Sequence, residues 1–280
     1  MNGTINNFQL HASILQWLNE DMPYGDITSQ NLICTNNSTI AKLMAKESGI
    51  ICGLEVLELV FHTVDPNIVV TTVLDDSTQV VSGDLIAEIT GPLNKILMGE
   101  RLALNLLQRM SGIATMASSY AAAVANTTTR IVDTRKTTPG LRQLEKYAVR
   151  IGGCYNHRYS LSDAVMIKDN HIKSAGSITQ AVSSIREQLP HTTKIEVEVE
   201  SLDGLQEALE NNVDIIMLDN MDNVMMTEAV KLTNKRALLE ASGNMTLERL
   251  SDVAKTGVDI ISVGALTHSV SALDISLKFS

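Results

Sequence analysis

The stretch DTRKTTPG, Asp133 to Gly140, sets Arg135 beside Lys136 directly after the apolar run TRIVD. Two adjacent cations repel each other, and holding them near a core is costly unless an anion meets them. More cations follow: His157 and Arg158 in NHR, then Lys168 at the end of DAVMIK, with Arg142 and His171 close in sequence. Arginine's planar fork suits bidentate carboxylate binding, and lysine supplies a movable point charge. Several of each predict ligands that carry more than one anionic group.

Acids accompany them. In KIEVEVES, Glu196, Glu198 and Glu200 stand at every second position, which puts all three on one side of a strand. Buried glutamates need cationic partners or a divalent ion. Asp219, one or two strands along, is placed to help these glutamates hold through water an Mg²⁺ ion, which takes one or two carboxylates plus phosphate oxygens. A salt-bridged edge is the plainer alternative. Two small turns suit phosphate: ASGNMT, with Ser242 and Gly243 before a helix, and SVGALTHS, with Gly264 and His268. Each alone is an ordinary tight turn. Together, after the last two strands of a barrel, they predict a phosphorylated substrate.

These side chains need strand ends to position them. From about Thr129 the chain alternates apolar runs (TRIVD, DAVMIK, KIEVEV, VDIIML, RALLEA, VDIISV) with helical patterns (LRQLEKYAVR, SITQAVSSIREQL, SLDGLQEALE, NVMMTEAVKLT, TLERLSDVAKTG). Nearly continuous apolar strands at this spacing predict parallel β-α units in a barrel or a doubly wound sheet. A polar or charged group follows each of the six strands, where barrel enzymes build their active sites. The first hundred residues instead suggest short antiparallel strands, with turns at Asp75-Asp76 and Ser82-Gly83, feeding a helical stretch from about Leu93.

Composition bounds the possibilities. The chain has 280 residues, 44% hydrophobic but only 3% aromatic, so its core must be built from Leu, Ile, Val, Met and Ala. The net charge of −10 argues against general binding to nucleic acid or anionic membranes. Residues 101–173 nevertheless hold eleven Lys or Arg against four Asp or Glu, a net of +7 that leaves −17 for the rest. A local site for a small anion fits that asymmetry. No secretory signal is apparent, and no apolar run reaches the roughly 18 residues of a membrane span. Three cysteines, Cys34, Cys52 and Cys154, form no C-x-x-C pair. A cytoplasmic enzyme without zinc is expected.

The segments ERLALNLLQRMSGIAT, DTRKTTPGLRQLEKYAVRIGG, NHRYSLSDAVMIKDNHI, EVEVES, IMLDN, EASGN and SVGALTHS, in this order, resemble the quinolinate phosphoribosyltransferases. These are the decarboxylating nicotinate-nucleotide pyrophosphorylases of NAD synthesis, type II phosphoribosyltransferases. The likeness runs from about Glu20 to His268. One departure is Cys154, where the family has a third glycine. The resemblance implies an N-terminal α+β open sandwich over 1–108, to which the tail 268–280 returns, and an incomplete TIM-like α/β barrel over 109–267. It implies a homodimer in which Arg101 reaches the partner's site. Arg135, His157, Arg158 and Lys168 are then expected around the two carboxylates of quinolinate. Lys136, Glu198 and Asp219 are expected on phosphoribosyl pyrophosphate and Mg²⁺, and Ser242, Gly243, Gly264 and His268 on the 5′-phosphate. Lys168, Glu198 and Asp219 are the expected catalytic groups. Two rival readings are a Schiff-base aldolase-like barrel using Lys168, and a protein of the same fold that binds or uses another acceptor.

Overall fold

The computed structural model describes residues 5–33 and 38–279, so Cys34 lies outside the described residues. The chain divides into two compact units, Met1–Ser118 with Thr138–Gly153 and Ser269–Ser280, and Ser119–Thr137 with Cys154–His268.

The first unit opens with α1 (Asn7–Asp21) and α2 (Ile27–Leu32), whose first-turn amides are capped by the side chains of Asn6 and Asp26. β1 (Ser38–Ala45) alternates in burial, turning Ala41, Leu43 and Ala45 inward, and β2 (Gly49–Ile50) follows. α3 (Leu54–Val64) buries Leu54, Val56, Leu57, Val60 and Phe61. Its first amides are capped from outside the helix. The Asp76 carboxylate accepts from the N–H groups of Gly53 and Leu54 at 2.9 and 3.1 Å. β3 (Val69–Thr72), β4 (Gln79–Val80) and β5 (Leu85–Pro92) come next. The two expected turns are present, closed by Thr78 N–H to Asp75 O and by Asp84 N–H to Val81 O, each at 3.2 Å. α4 (Leu93–Ala123) begins where the helical periodicity predicts.

The second unit alternates strand and helix as expected. β6 (Arg130–Val132) precedes α5 (Arg142–Ile151), which clusters with the first unit. β7 (Val165–Ile167) leads into α6 (Asp169–Ala175) and α7 (Ile178–Arg186). β8 (Ile195–Val199), α8 (Leu202–Glu210), β9 (Ile215–Asp219) and α9 (Asn223–Thr233) follow. β10 (Leu238–Ser242), α10 (Leu247–Ala254), β11 (Ile260–Ser262) and the single turn α11 (Ala265–His268) complete the repeat. β12 (Ile275–Phe279) then joins the first unit's antiparallel sheet, ordered β12-β1-β5-β3.

The six strands of the second unit form one parallel sheet in the order β6-β11-β10-β9-β8-β7. Among the described residues β6 and β7 do not pair with each other, so the barrel is incomplete, as expected. Side chains alternate across this sheet. Val197, Ile216, Leu218, Leu239 and Ala241 are buried on one face. Glu196, Glu198, Met217, Asp219, Glu240 and Ser242 occupy the other, the lumen. β8 ends at Val199, which leaves Glu200 past the strand and exposed. Two of the three alternating glutamates therefore face the lumen, not three. Among the described residues no helix is long and apolar enough to cross a membrane.

Candidate active site

Because all six strands run the same way, their C-terminal ends meet at one mouth. A cavity of about 410 Å³ opens there, lined by Thr134, Arg135 and Lys136 after β6, His157 and Arg158, and Met166 and Lys168 at β7. Glu198, Met217, Asp219, Glu240, Ser242 and Ser262 complete it from β8 to β11. Eight of the residues singled out from the sequence thus come together. Arg101 does not. It is exposed on α4 and lines a separate pocket of the first unit with Trp17, Glu20 and Asp21.

The cations are held by the backbone around them. Asp133 is completely buried at the end of β6, where it accepts from Asn156 Nδ2 at 2.6 Å and from the His157 amide at 2.9 Å. That ties the NHR segment to the strand carrying Arg135. Arg158 donates to the Ala164 carbonyl at 2.8 Å, which fixes its guanidinium at the wall. Burial, and then the charge of Arg135, both disfavour the charged form of Arg158. Like charges gathered in a cavity need an anion between them. Lys168 stands between β7 and α6, where its backbone N–H donates to His171 Nδ1 at 2.9 Å. Its ammonium pairs with Glu198.

Below the cations lies a cluster that the sequence reading leaves half assigned. His157 Nε2 is 3.3 Å from Glu196 Oε2 and 3.4 Å from Glu240 Oε2, and both acids are buried. Burial works to lower the histidine's pKa, but hydrogen bonds and charge from the two glutamates outweigh it and raise His157 to about 10. Burial first, and the Glu240 charge as well, push Glu196 upward. His157 Nδ1 lies 2.7 Å from the Arg158 amide nitrogen, which turns Nε2 toward the two carboxylates. Among the described residues this is the one group of three potential metal-ligating atoms within 4.8 Å of one another. It contains neither Glu198 nor Asp219. Glu240 has a sequence signal in hindsight: it lies two residues before Ser242 and so shares its face.

The expected phosphate turns lie beside the same mouth. Gly243 has φ +93°, and a Cβ there would sit 2.2 Å from Asn220 Oδ1. Arg249, which sequence reasoning missed, donates to the carbonyls of Gly243 and Met221, both at 3.1 Å, and so clamps the loops after β10 and β9. A Cβ on Gly264 would lie 3.0 Å from both His268 Nε2 and Lys136 Cδ. Thr267 Oγ1 donates to the Lys136 carbonyl at 2.8 Å. Lys136, Gly264 and His268, far apart in the chain, are neighbours in space.

Comparison with known proteins decides the family. Residues 26–111 match the family model for the quinolinate phosphoribosyl transferase N-terminal domain, and residues 113–278 match that for the C-terminal domain. The chain belongs to the quinolinate phosphoribosyltransferase family. It is 47% identical over 266 residues, 94% of this chain and 90% of the relative, to a probable nicotinate-nucleotide pyrophosphorylase [carboxylating] of Synechocystis. To its namesake in Bacillus subtilis it is 44% identical over 98% of this chain and 94% of the relative. The crystal structure of NadC from Streptococcus pyogenes superposes with a TM-score of 0.93 at 41% identity, covering 97% of each chain. Membership makes the chain a pentosyltransferase and removes the aldolase-like reading of Lys168. It also shows how the family fold accepts Cys154. Gly153 alone takes the left-handed backbone, φ +92°, while Cys154 does not, and the thiol is buried. Burial first, then the Asp133 charge, push that thiol up to about 12, so it is no nucleophile.

Proposed function

We propose that this chain transfers the phosphoribosyl group of phosphoribosyl pyrophosphate to quinolinate with loss of CO₂, giving nicotinate mononucleotide and pyrophosphate. The observation that carries the reading is the convergence of Arg135, Lys136, Arg158 and Lys168 on one cavity, in a chain of this family.

Arg135, Arg158 and Lys168 hold the flat dianion by its carboxylates, with His157 fixing the loop that carries Arg158. Held so, the ring nitrogen faces C1 of the ribose, and encounter becomes a positioned reaction. Lys136, beside Gly264 and His268, takes the phosphoribosyl side, and the turns at Ser242-Gly243 and Gly264 receive the 5′-phosphate through backbone N–H groups. Glu198 and Asp219 end neighbouring strands and reach the same cavity, which fits an oxygen-seeking cation that keeps water and takes phosphate. Glu198 and Asp219 would hold Mg²⁺ there, which would supply charge neutralisation for the pyrophosphate. The basic groups stabilise the same leaving charge. Once the ring nitrogen is quaternary it accepts the electron pair of the breaking C–CO₂ bond, and the carbon left behind takes a proton.

We further assign a cytoplasmic homodimer, with Arg101 of each subunit completing its partner's site, and domain limits near residues 108 and 267. The activity is tested by incubating the purified protein with quinolinate, phosphoribosyl pyrophosphate and Mg²⁺. Equal amounts of nicotinate mononucleotide and CO₂ are expected. A folded protein that binds the donor yet yields no product from quinolinate contradicts the assignment.

A further inference from the structure

Lys168 and Glu198 are assigned above to different ligands, the dicarboxylate acceptor and the phosphoribosyl donor, yet in the structure they hold each other. Lys168 is rooted at the junction of β7 and α6, and Glu198 projects from the neighbouring strand β8. Their side chains are 44% and 14% exposed, so the pair opens to the cavity at the lysine and is sheltered at the acid. Charges partly removed from water attract more strongly than a surface pair. While the pair stands, neither group offers its full charge to a ligand. A carboxylate of the acceptor must draw Lys168 away from Glu198, and a donor hydroxyl or cation that takes Glu198 must leave Lys168 released.

We propose that the Lys168–Glu198 pair is a latch shared by the two substrate subsites, so that either substrate opens it and thereby strengthens binding of the other. The proposal rests on the assignment of these residues in the preceding section. The cost of opening falls on whichever ligand arrives first, and thermodynamic linkage makes the coupling equal in both directions. The latch also carries an unusual expectation for its own removal. Glu198→Gln keeps the side-chain volume but not the charge, so Lys168 is released without a donor, and the free variant binds the acceptor more tightly than the free wild type. A residue that served only as a donor contact would leave acceptor affinity unchanged, and a merely structural one would weaken it.

The test is calorimetric titration of the full-length protein with phthalate, benzene-1,2-dicarboxylate. This probe presents two adjacent carboxylates but lacks the ring nitrogen, so it cannot react. In wild type, saturating phosphoribosyl pyrophosphate with Mg²⁺ is expected to lower the phthalate Kd by about fivefold or more, and phthalate to lower the donor Kd by the same factor. Glu198→Gln is expected to bind phthalate alone more tightly than wild type does. Independent binding of the two ligands in wild type overturns the latch while leaving the subsites standing. So does phthalate affinity that is unchanged or weakened in a folded Glu198→Gln. Wild type that binds neither ligand overturns the latch together with the function beneath it. The wild-type cycle decides the matter even where the variant fails to fold.

Discussion

At the scale of single residues, the site is a set of cations prevented from neutralising themselves completely. Arg158 is anchored at the cavity wall through Nη1 to the Ala164 carbonyl at 2.8 Å and, more weakly, through Nη2 to Met166 Sδ at 3.5 Å, a soft contact that a carboxylate can displace. Removing the charge-assisted contact to that carboxylate costs about 1.5–3 kcal/mol. Arg158→Ala should therefore raise KM for quinolinate by about ten- to a hundredfold, with a much smaller change in KM for the donor, as steady-state kinetics with each substrate varied will show. His157 makes a prediction about pH. Its pKa is raised from 6.5 to about 10, so between those values the folded state holds more protons than the unfolded one. Its stabilisation is complete below about pH 6.5 and is lost as pH rises toward 10. Urea unfolding between pH 6 and 10 should show stability falling with pH, and His157→Asn should flatten that slope. The cations were legible in the sequence because adjacent Arg-Lys and His-Arg pairs are conspicuous. Glu240 was not, since a lone acid inside RALLEA looks like an interruption until the strand's lumen face is known. That Glu196 and Glu240 meet on one imidazole nitrogen depends on strands 44 residues apart, which no local pattern encodes.

At the scale of elements, strand ends supply the chemistry and loops tune its approach. The turn after β10 is the tightest such place. Gly243→Ala must strain a backbone at φ +93° and collide with Asn220, a cost of about 1–3 kcal/mol in that loop. The predicted outcome is a raised KM for phosphoribosyl pyrophosphate with the quinolinate KM nearly unchanged, again read by varying each substrate in turn. Every strand of the parallel sheet was legible, most as short Val/Ile/Leu-rich runs and β8 as a strict alternation of glutamate with Ile and Val. Among the described residues five helices were not: α1, α2, α3, α6 and the single turn α11. α6 (DNHIKSA) buries none of its residues and so shows no apolar stripe. α3 is apolar over most of its length, a run too short and too uniform for periodicity to separate helix from strand. Its Asp76 cap comes from beyond β3, a contact that sequence spacing does not reveal.

At the scale of the whole molecule, the first unit carries its own buried polar core. Glu145 is almost fully buried on α5, accepting from Arg109 Nε at 2.9 Å and from the Thr138 amide at 3.1 Å. Glu145→Ala removes the acceptor shared by both donors, and since Arg109 keeps Thr138 Oγ1 and is partly exposed the cost is about 2–3 kcal/mol, below that of a fully buried pair. Chemical denaturation should report that loss. The proposed dimer makes a sharper prediction. Arg101→Ala and Lys168→Ala, each inactive alone, should regain activity when unfolded together and refolded, because a mixed dimer of the proposed kind contains one intact site. The asymmetry of charge, +7 over residues 101–173 within a chain of net −10, was the whole-molecule signal of an anion site, and the fold brings four of that segment's eleven Lys and Arg, namely Arg135, Lys136, Arg158 and Lys168, to one mouth. The most direct test of this account compares kcat/KM for quinolinate and for nicotinate, which lacks one carboxylate, in the same preparation. The clustered cations predict strong preference for quinolinate, falling sharply in Arg158→Ala. Equal use of both acceptors by the wild type would contradict it.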